Sequence, residues 1–138
     1  MTEKLAPDLD AALVLGMAST AIPFARSREA EAERWLRILR LQGEAGATLQ
    51  ALGVSEAPLE EFDDDEEGGA STAAVEDVVA RVGEAAAVTA SRRSAPCFGT
   101  NDVLVAVIDV YGSDFDHVLR AHGTDRDEVL ARIDLLAA

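Results

Sequence analysis

The chain has 138 residues, enough to bury a core without disulfides or metals, and sets 12 Lys and Arg against 26 Asp and Glu for a net charge of −14. That field repels phosphate backbones and anionic lipid, which sets aside nucleic acid and membrane surfaces as partners. Hydrophobic residues make up 49% of the chain but aromatics only 4%, so the core must be built mainly from Ala, Val, Leu and Ile, residues that favour close helix packing. The single Cys97 cannot form an internal disulfide, which suits a reducing cytoplasm.

Residues 11–25 carry no charge. They do not read as a signal peptide, because Glu3, Asp8 and Asp10 precede them and Lys4 is the only basic residue there. They are too short for a membrane span and are followed by Arg26, so they are assigned to a core helix. The apolar positions Leu9, Leu13, Met17 and Ala21, joined by Ala12, Gly16 and Thr20, recur at helical spacing over residues 8–21. Asp8 and Asp10 suit the positive end of this helix, and Pro23 ends it.

Ser27 is the N-cap of a second helix that carries Trp35, Leu36, Ile38 and Leu39, with Gly43 as its stop. A third runs over residues 45–52 with Leu49 and Leu52 inward and Gly53 closing it. Ser55 caps a fourth that bears Leu59 and Phe62, with Pro58 in the tolerated first turn. Residues 60–69 read EEFDDDEEGG, a dense acidic run without the alternating ligands and sixth-position glycine of a calcium loop. The run reads as a solvated linker, placed at residues 63–70.

The helical pattern then restarts. Val75, Val78, Val79, Val82, Ala86 and Ala90 define a fifth helix. Thr100 caps a sixth, with Asp102 in its first turn and Val103, Leu104, Val107 and Ile108 as its buried face. Ser113 or Asp114 opens a seventh that buries Phe115, Val118 and Leu119 and stops at Gly123. Thr124 and Asp127 resemble a capping box for an eighth, whose apolar face is Val129, Leu130, Ile133 and Leu136.

The two halves repeat. Trp35 and Leu36 fall on Val103 and Leu104 at an offset of 68, whereas Leu49 and Gly53 fall on Leu119 and Gly123 at an offset of 70. Two residues of difference in one turn reconcile these offsets. The sequence therefore predicts an all-α fold in which two four-helix units, residues 5–62 and 71–137, pack as one eight-helix domain.

The run GTNDVLVAVIDVYGSDFDHVLRAHGTD, residues 99–125, resembles the Gly-Thr-Glu-His-aliphatic helix, turn and Leu-x-x-x-Gly close of the Clp N-terminal repeat, which occurs twice in the N-domains of ClpC- and ClpA-type AAA+ unfoldases. In the first half ERWLRIL and TLQALGVS are similar to the same repeat in more divergent form, so the resemblance extends over roughly residues 5–137. It implies an all-helical, pseudo-twofold recognition domain for adaptors, tagged or damaged substrates and cyclic peptide antibiotics. In ClpC-type domains the Glu of each motif helps to hold the guanidinium of phosphoarginine. By resemblance Glu33 takes that role in the first repeat, while Asn101 and Asp102 stand where the second repeat would have Glu and His. Asn offers a guanidinium no charge.

The candidate ligand-binding residues are Glu33, Thr100, Asn101 and Asp102, together with Arg92 and Arg93, a basic doublet near the Gly99–Thr100 turn. Each also has a plain structural reading: Thr100 as an N-cap, Asp102 as a dipole complement, the arginines as solvated surface, Trp35 as core. Helix N-termini are natural anion sites, which keeps the ligand reading open for Asn101. His117 and His122 lie on different helix faces, no catalytic or phosphate-loop motif is present, and Cys97 has no positioned base, so neither enzymatic activity, a metal nor a cofactor is expected. The expected function is non-catalytic capture of protein or peptide ligands in a cytoplasmic Clp protease system, by a stand-alone protein; the alternatives are the N-terminal domain of a ClpC-type unfoldase, or a docking factor that captures no ligand.

Overall fold

The computed structural model describes residues 6–22, 27–54, 72–92 and 94–137. These form seven α-helices and no strand: α1 (Leu9–Ala21), α2 (Arg28–Arg40), α3 (Gly43–Ala51), α4 (Thr72–Arg92), α5 (Thr100–Tyr111), α6 (Ser113–Ala121) and α7 (Arg126–Ala137). The all-α expectation holds, while the helix predicted from Ser55 to Phe62 and the acidic linker lie outside the described residues. None of the described helices is long and apolar enough to cross a membrane.

α5 is the hub, packing against all six other helices. Its sequence explains why, because Val103, Leu104, Ala106, Val107, Ile108 and Tyr111 are all buried, more than one face of a helix can hold. Trp35 of α2 and Phe115 of α6, both 0% exposed, are the largest fully buried side chains around it; most of the rest of the core is Leu, Ile, Val and Ala.

Local sequence sets most helix ends as expected. The Asp8 carboxylate accepts from the Ala11 amide at 2.8 Å to start α1, and the Ser27 hydroxyl accepts from the Ala30 amide at 3.1 Å to start α2. α3 and α6 close in the same way: Gly53 and Gly123 take φ of +89° and +93°, and the next residue's amide reaches back to Leu49 and Leu119 respectively, each at 3.0 Å. Gly43, expected to stop α2, instead opens α3 with φ +54°; α2 has already ended at Arg40. α3 crosses that end so closely that a Cβ on Gly46 would stand 2.6 Å from the Arg40 carbonyl oxygen.

Three further expectations need correction. The stripe Leu9, Leu13 and Met17 of α1 faces outward, and Ala11, Val14 and Ala18 are the residues buried. With no charged residue from 11 to 21, periodicity could not orient this helix, and the small alanines let it seat closely against α2, α4 and α5. Thr100 does not cap its own helix: Gly99 holds that position, and the Asp102 carboxylate reaches back to accept from the Gly99 amide at 2.9 Å. At α7 the cap is Asp125, whose carboxylate accepts from the Glu128 amide at 2.8 Å, while Thr124 donates to the Glu128 carboxylate; the cap sits one residue later than Thr124 and Asp127 suggested.

Candidate functional site

The predicted site residues lie on separate helix contacts. α2 packs on α6 and carries Glu33 there, whereas α5 packs on α3 and begins with Thr100, Asn101 and Asp102. Arg92 is exposed at the end of α4, and Arg93 lies outside the described residues.

On the α2 side, Glu33 is only 1% exposed. Its two carboxylate oxygens lie 2.9 and 3.1 Å from Nε2 of His122, at the C-cap of α6, whose side chain is 3% exposed. Because the carboxylate accepts, the Nε2 proton of His122 is the donor. Both groups are thus removed from bulk water and matched to one another, the condition under which losing either is expensive.

Nearby, Trp35 Nε1 donates to the Tyr111 hydroxyl at 2.9 Å, and that hydroxyl donates to Glu31 at 2.7 Å, so both polar atoms on these large side chains are satisfied. Arg28 lies over the Tyr111 ring, 5.0 Å from its centroid, and bonds Asp114 at 2.8 Å and the Val110 carbonyl at 3.1 Å. Burial, followed by the hydrogen bond and charge of Glu31, pushes the Tyr111 phenol far above the ordinary tyrosine range. This network fastens the end of α5 to the start of α2.

On the α3 side, the Thr100 hydroxyl accepts from the Ala45 amide at 3.0 Å. α3 has no cap from its own Gln42, so Thr100 supplies one from α5. Asn101, half-buried, receives the Thr48 hydroxyl at 3.4 Å and donates to the exposed Glu44 carboxylate at 3.5 Å. These long contacts hold an amide and a carboxylate together at the surface, an arrangement able to meet a donor-rich cationic group.

His122, Glu44 and Thr48 were not anticipated from the sequence. Glu33 was singled out only through the resemblance, and no signal marked its carboxylate as buried beside Ala32, Trp35 and Leu36. His122 gave none, because the residue before a closing glycine is commonly exposed. A cleft of about 290 Å³ between α6 and α7, lined by Gly112, Ser113, Asp116, Arg120, Asp125, Arg126 and Asp127, includes none of the predicted residues. Its groups engage one another: Asp116 accepts from Arg120 Nε and from the Arg126 amide, both at 2.9 Å. Among the described residues no group of three or more His, Cys, Asp or Glu could hold a metal ion.

No protein-family model matches the chain, and no curated protein matches it.

Proposed function

We propose that the chain is a double Clp-N-like module that recognises protein or peptide ligands of a cytoplasmic Clp protease system and performs no chemistry of its own. The observation that carries this reading is the agreement of the sequence repeat with geometry. α3 and α6, equivalent at the 70-residue offset, have nine residues each and end on the same glycine turn, and the pairing of α2 with α6 is mirrored by that of α5 with α3. At the 68-residue offset, the buried Trp35, Leu36, Ile38 and Leu39 fall on the buried Val103, Leu104, Ala106 and Val107. The second unit holds four helices, α4 to α7, and the first holds α1 to α3; on this reading a fourth helix after α3 completes the eight-helix pseudo-twofold domain that the resemblance implies.

Within this reading the surface pair of Asn101 and Glu44, backed by the buried Thr48, is the ligand contact of the second repeat. Candidate ligands are arginine-phosphorylated segments, adaptors and cyclic peptides. Glu33 is placed differently, buried and bonded to His122, so a guanidinium would have to displace the imidazole to reach it. That burial favours a second reading, in which the module docks on a Clp partner and captures no phosphoarginine.

Isothermal calorimetry with phosphoarginine and with a cyclic peptide ligand of Clp N-domains separates the two. Ligand capture predicts heat with at least one of them, abolished in the Asn101→Ala, Glu44→Ala double variant. Absence of heat with both removes phosphoarginine and cyclic peptides as ligands and leaves the protein-partner reading. Docking then stands or falls on whether the chain co-purifies with Clp subunits.

A further inference from the structure

The cleft between α6 and α7 is lined by groups that the fold itself leaves unused. Two of its carboxylates are committed: Asp116 accepts from Arg120 Nε with one oxygen and from the Arg126 amide with the other, and Asp125 caps α7 through the Glu128 amide. The guanidinium of Arg126 and the carboxylate of Asp127, both exposed, make no hydrogen bond or ion pair among the described residues, and of the Arg120 guanidinium only Nε is engaged. Ser113, also exposed on the lining, is the first residue of α6, whose N-cap is Gly112 and has no side chain to meet the first-turn amides.

These unused groups are mostly donors. In a chain with 26 acidic residues against 12 basic ones, two arginines that meet at a helix N-terminus are a local exception to the general field. A planar carboxylate matches the fork of a guanidinium, and a helix N-terminus favours the same charge.

Asp127 narrows the ligand further. A phosphate dianion would satisfy the donors, but it only accepts, brings more charge into a chain of net charge −14 and leaves Asp127 unpaired beside it. The end of a peptide answers both kinds of group, because its terminal carboxylate accepts while the amide N–H of the same residue donates. A volume of about 290 Å³ lies at the small end of ligand sites and suits a chain terminus better than a folded surface.

We propose that this cleft receives the free C-terminus of a peptide, with Arg126 and Arg120 on the carboxylate and Asp127 on the last amide. The inference rests on the reading of the chain as a module for peptide ligands, but it uses none of the residues of the α3 contact. Asn101 lies in the first turn of α5 and Gly112 follows its last residue, so the two sites stand at opposite ends of that helix.

The test is a nuclear magnetic resonance titration of the full chain with N-acetyl-alanyl-alanine and with its C-terminal amide; the two probes differ only in the terminal charge. The acid should shift the amide signals of Ser113, Asp114, Arg126 and Asp127 saturably, and the amide form should bind more than about tenfold more weakly. Arg126→Gln should weaken the acid by a similar factor. Because the Arg126 side chain is exposed and unbonded among the described residues, the melting transition of that variant should stay close to the parent's. The Asn101→Ala, Glu44→Ala double variant should bind the acid unchanged, so failure of either site leaves the other standing. Equal binding of acid and amide, shifts that do not saturate or that fall away from the cleft, or undiminished affinity in Arg126→Gln overturns the proposal. Inorganic phosphate binding more tightly than the acid overturns the assignment to a peptide terminus.

Discussion

Replacing His122 with alanine tests the energetics of the α2–α6 contact most sharply. The change removes an imidazole that is 3% exposed from a carboxylate that is 1% exposed, at 2.9 Å, so solvent screens the interaction little in either partner. Breaking a buried pair of this kind costs about 3–5 kcal/mol, because the carboxylate stays desolvated and loses its bond to the imidazole. Against a total stability on the order of 5–15 kcal/mol, that is a large fraction, and it lowers the melting temperature by roughly 10–20 °C. Urea titrations of the parent, His122→Ala, Glu33→Ala and the double alanine variant complete a thermodynamic cycle. The expected coupling exceeds about 1.5 kcal/mol, and a Glu33→Leu, His122→Leu pair recovers much of the loss because two apolar side chains need no compensation. A single-variant cost under about 1 kcal/mol, with the two costs adding independently, would refute a buried, mutually dependent pair.

Thr100→Val keeps the shape of the side chain but removes the acceptor for the Ala45 amide, and should cost about 1 kcal/mol, whereas Thr100→Ser should cost less; equal losses in chemical denaturation would show that the hydroxyl does not cap α3. Gly46→Ala forces a Cβ against the Arg40 carbonyl and should destabilise by about 1–3 kcal/mol despite alanine's higher helix propensity; a rise in melting temperature would contradict the close crossing of α2 and α3. Tyr111 is the only tyrosine, so tyrosinate absorbance reports it alone. Its folded-state value is raised above the unfolded value of about 10, so its contribution to stability is complete below that pH and is lost as pH climbs above it. The tyrosinate signal should accordingly rise only as the protein unfolds, and Tyr111→Phe should weaken the alkaline fall in stability; titration near pH 10 with the fold intact would contradict the burial.

Features governed by neighbours in the chain were legible in the sequence. Ser27 caps α2, Gly53 and Gly123 close α3 and α6, and Val103, Leu104, Val107, Ile108, Phe115, Val118 and Leu119 are buried, because capping and periodicity act within one or two turns. Candidate site residues were legible only as residues of interest. Thr100 was singled out as a cap and is one, but for a helix 55 residues away.

Tertiary structure decided what has no local signature. Which side of α1 faces inward depended on how Ala11, Val14 and Ala18 fit against α2, α4 and α5, since a helix apolar on every side gives periodicity no contrast to read. The partner of Glu33 lies 89 residues further along the chain, and the Trp35–Tyr111 bond closes a separation of 76. By itself the sequence determined where the described helices lie and most of their ends; only the packed fold, by bringing distant turns within hydrogen-bonding reach, buried the Glu33 carboxylate and set His122 against it.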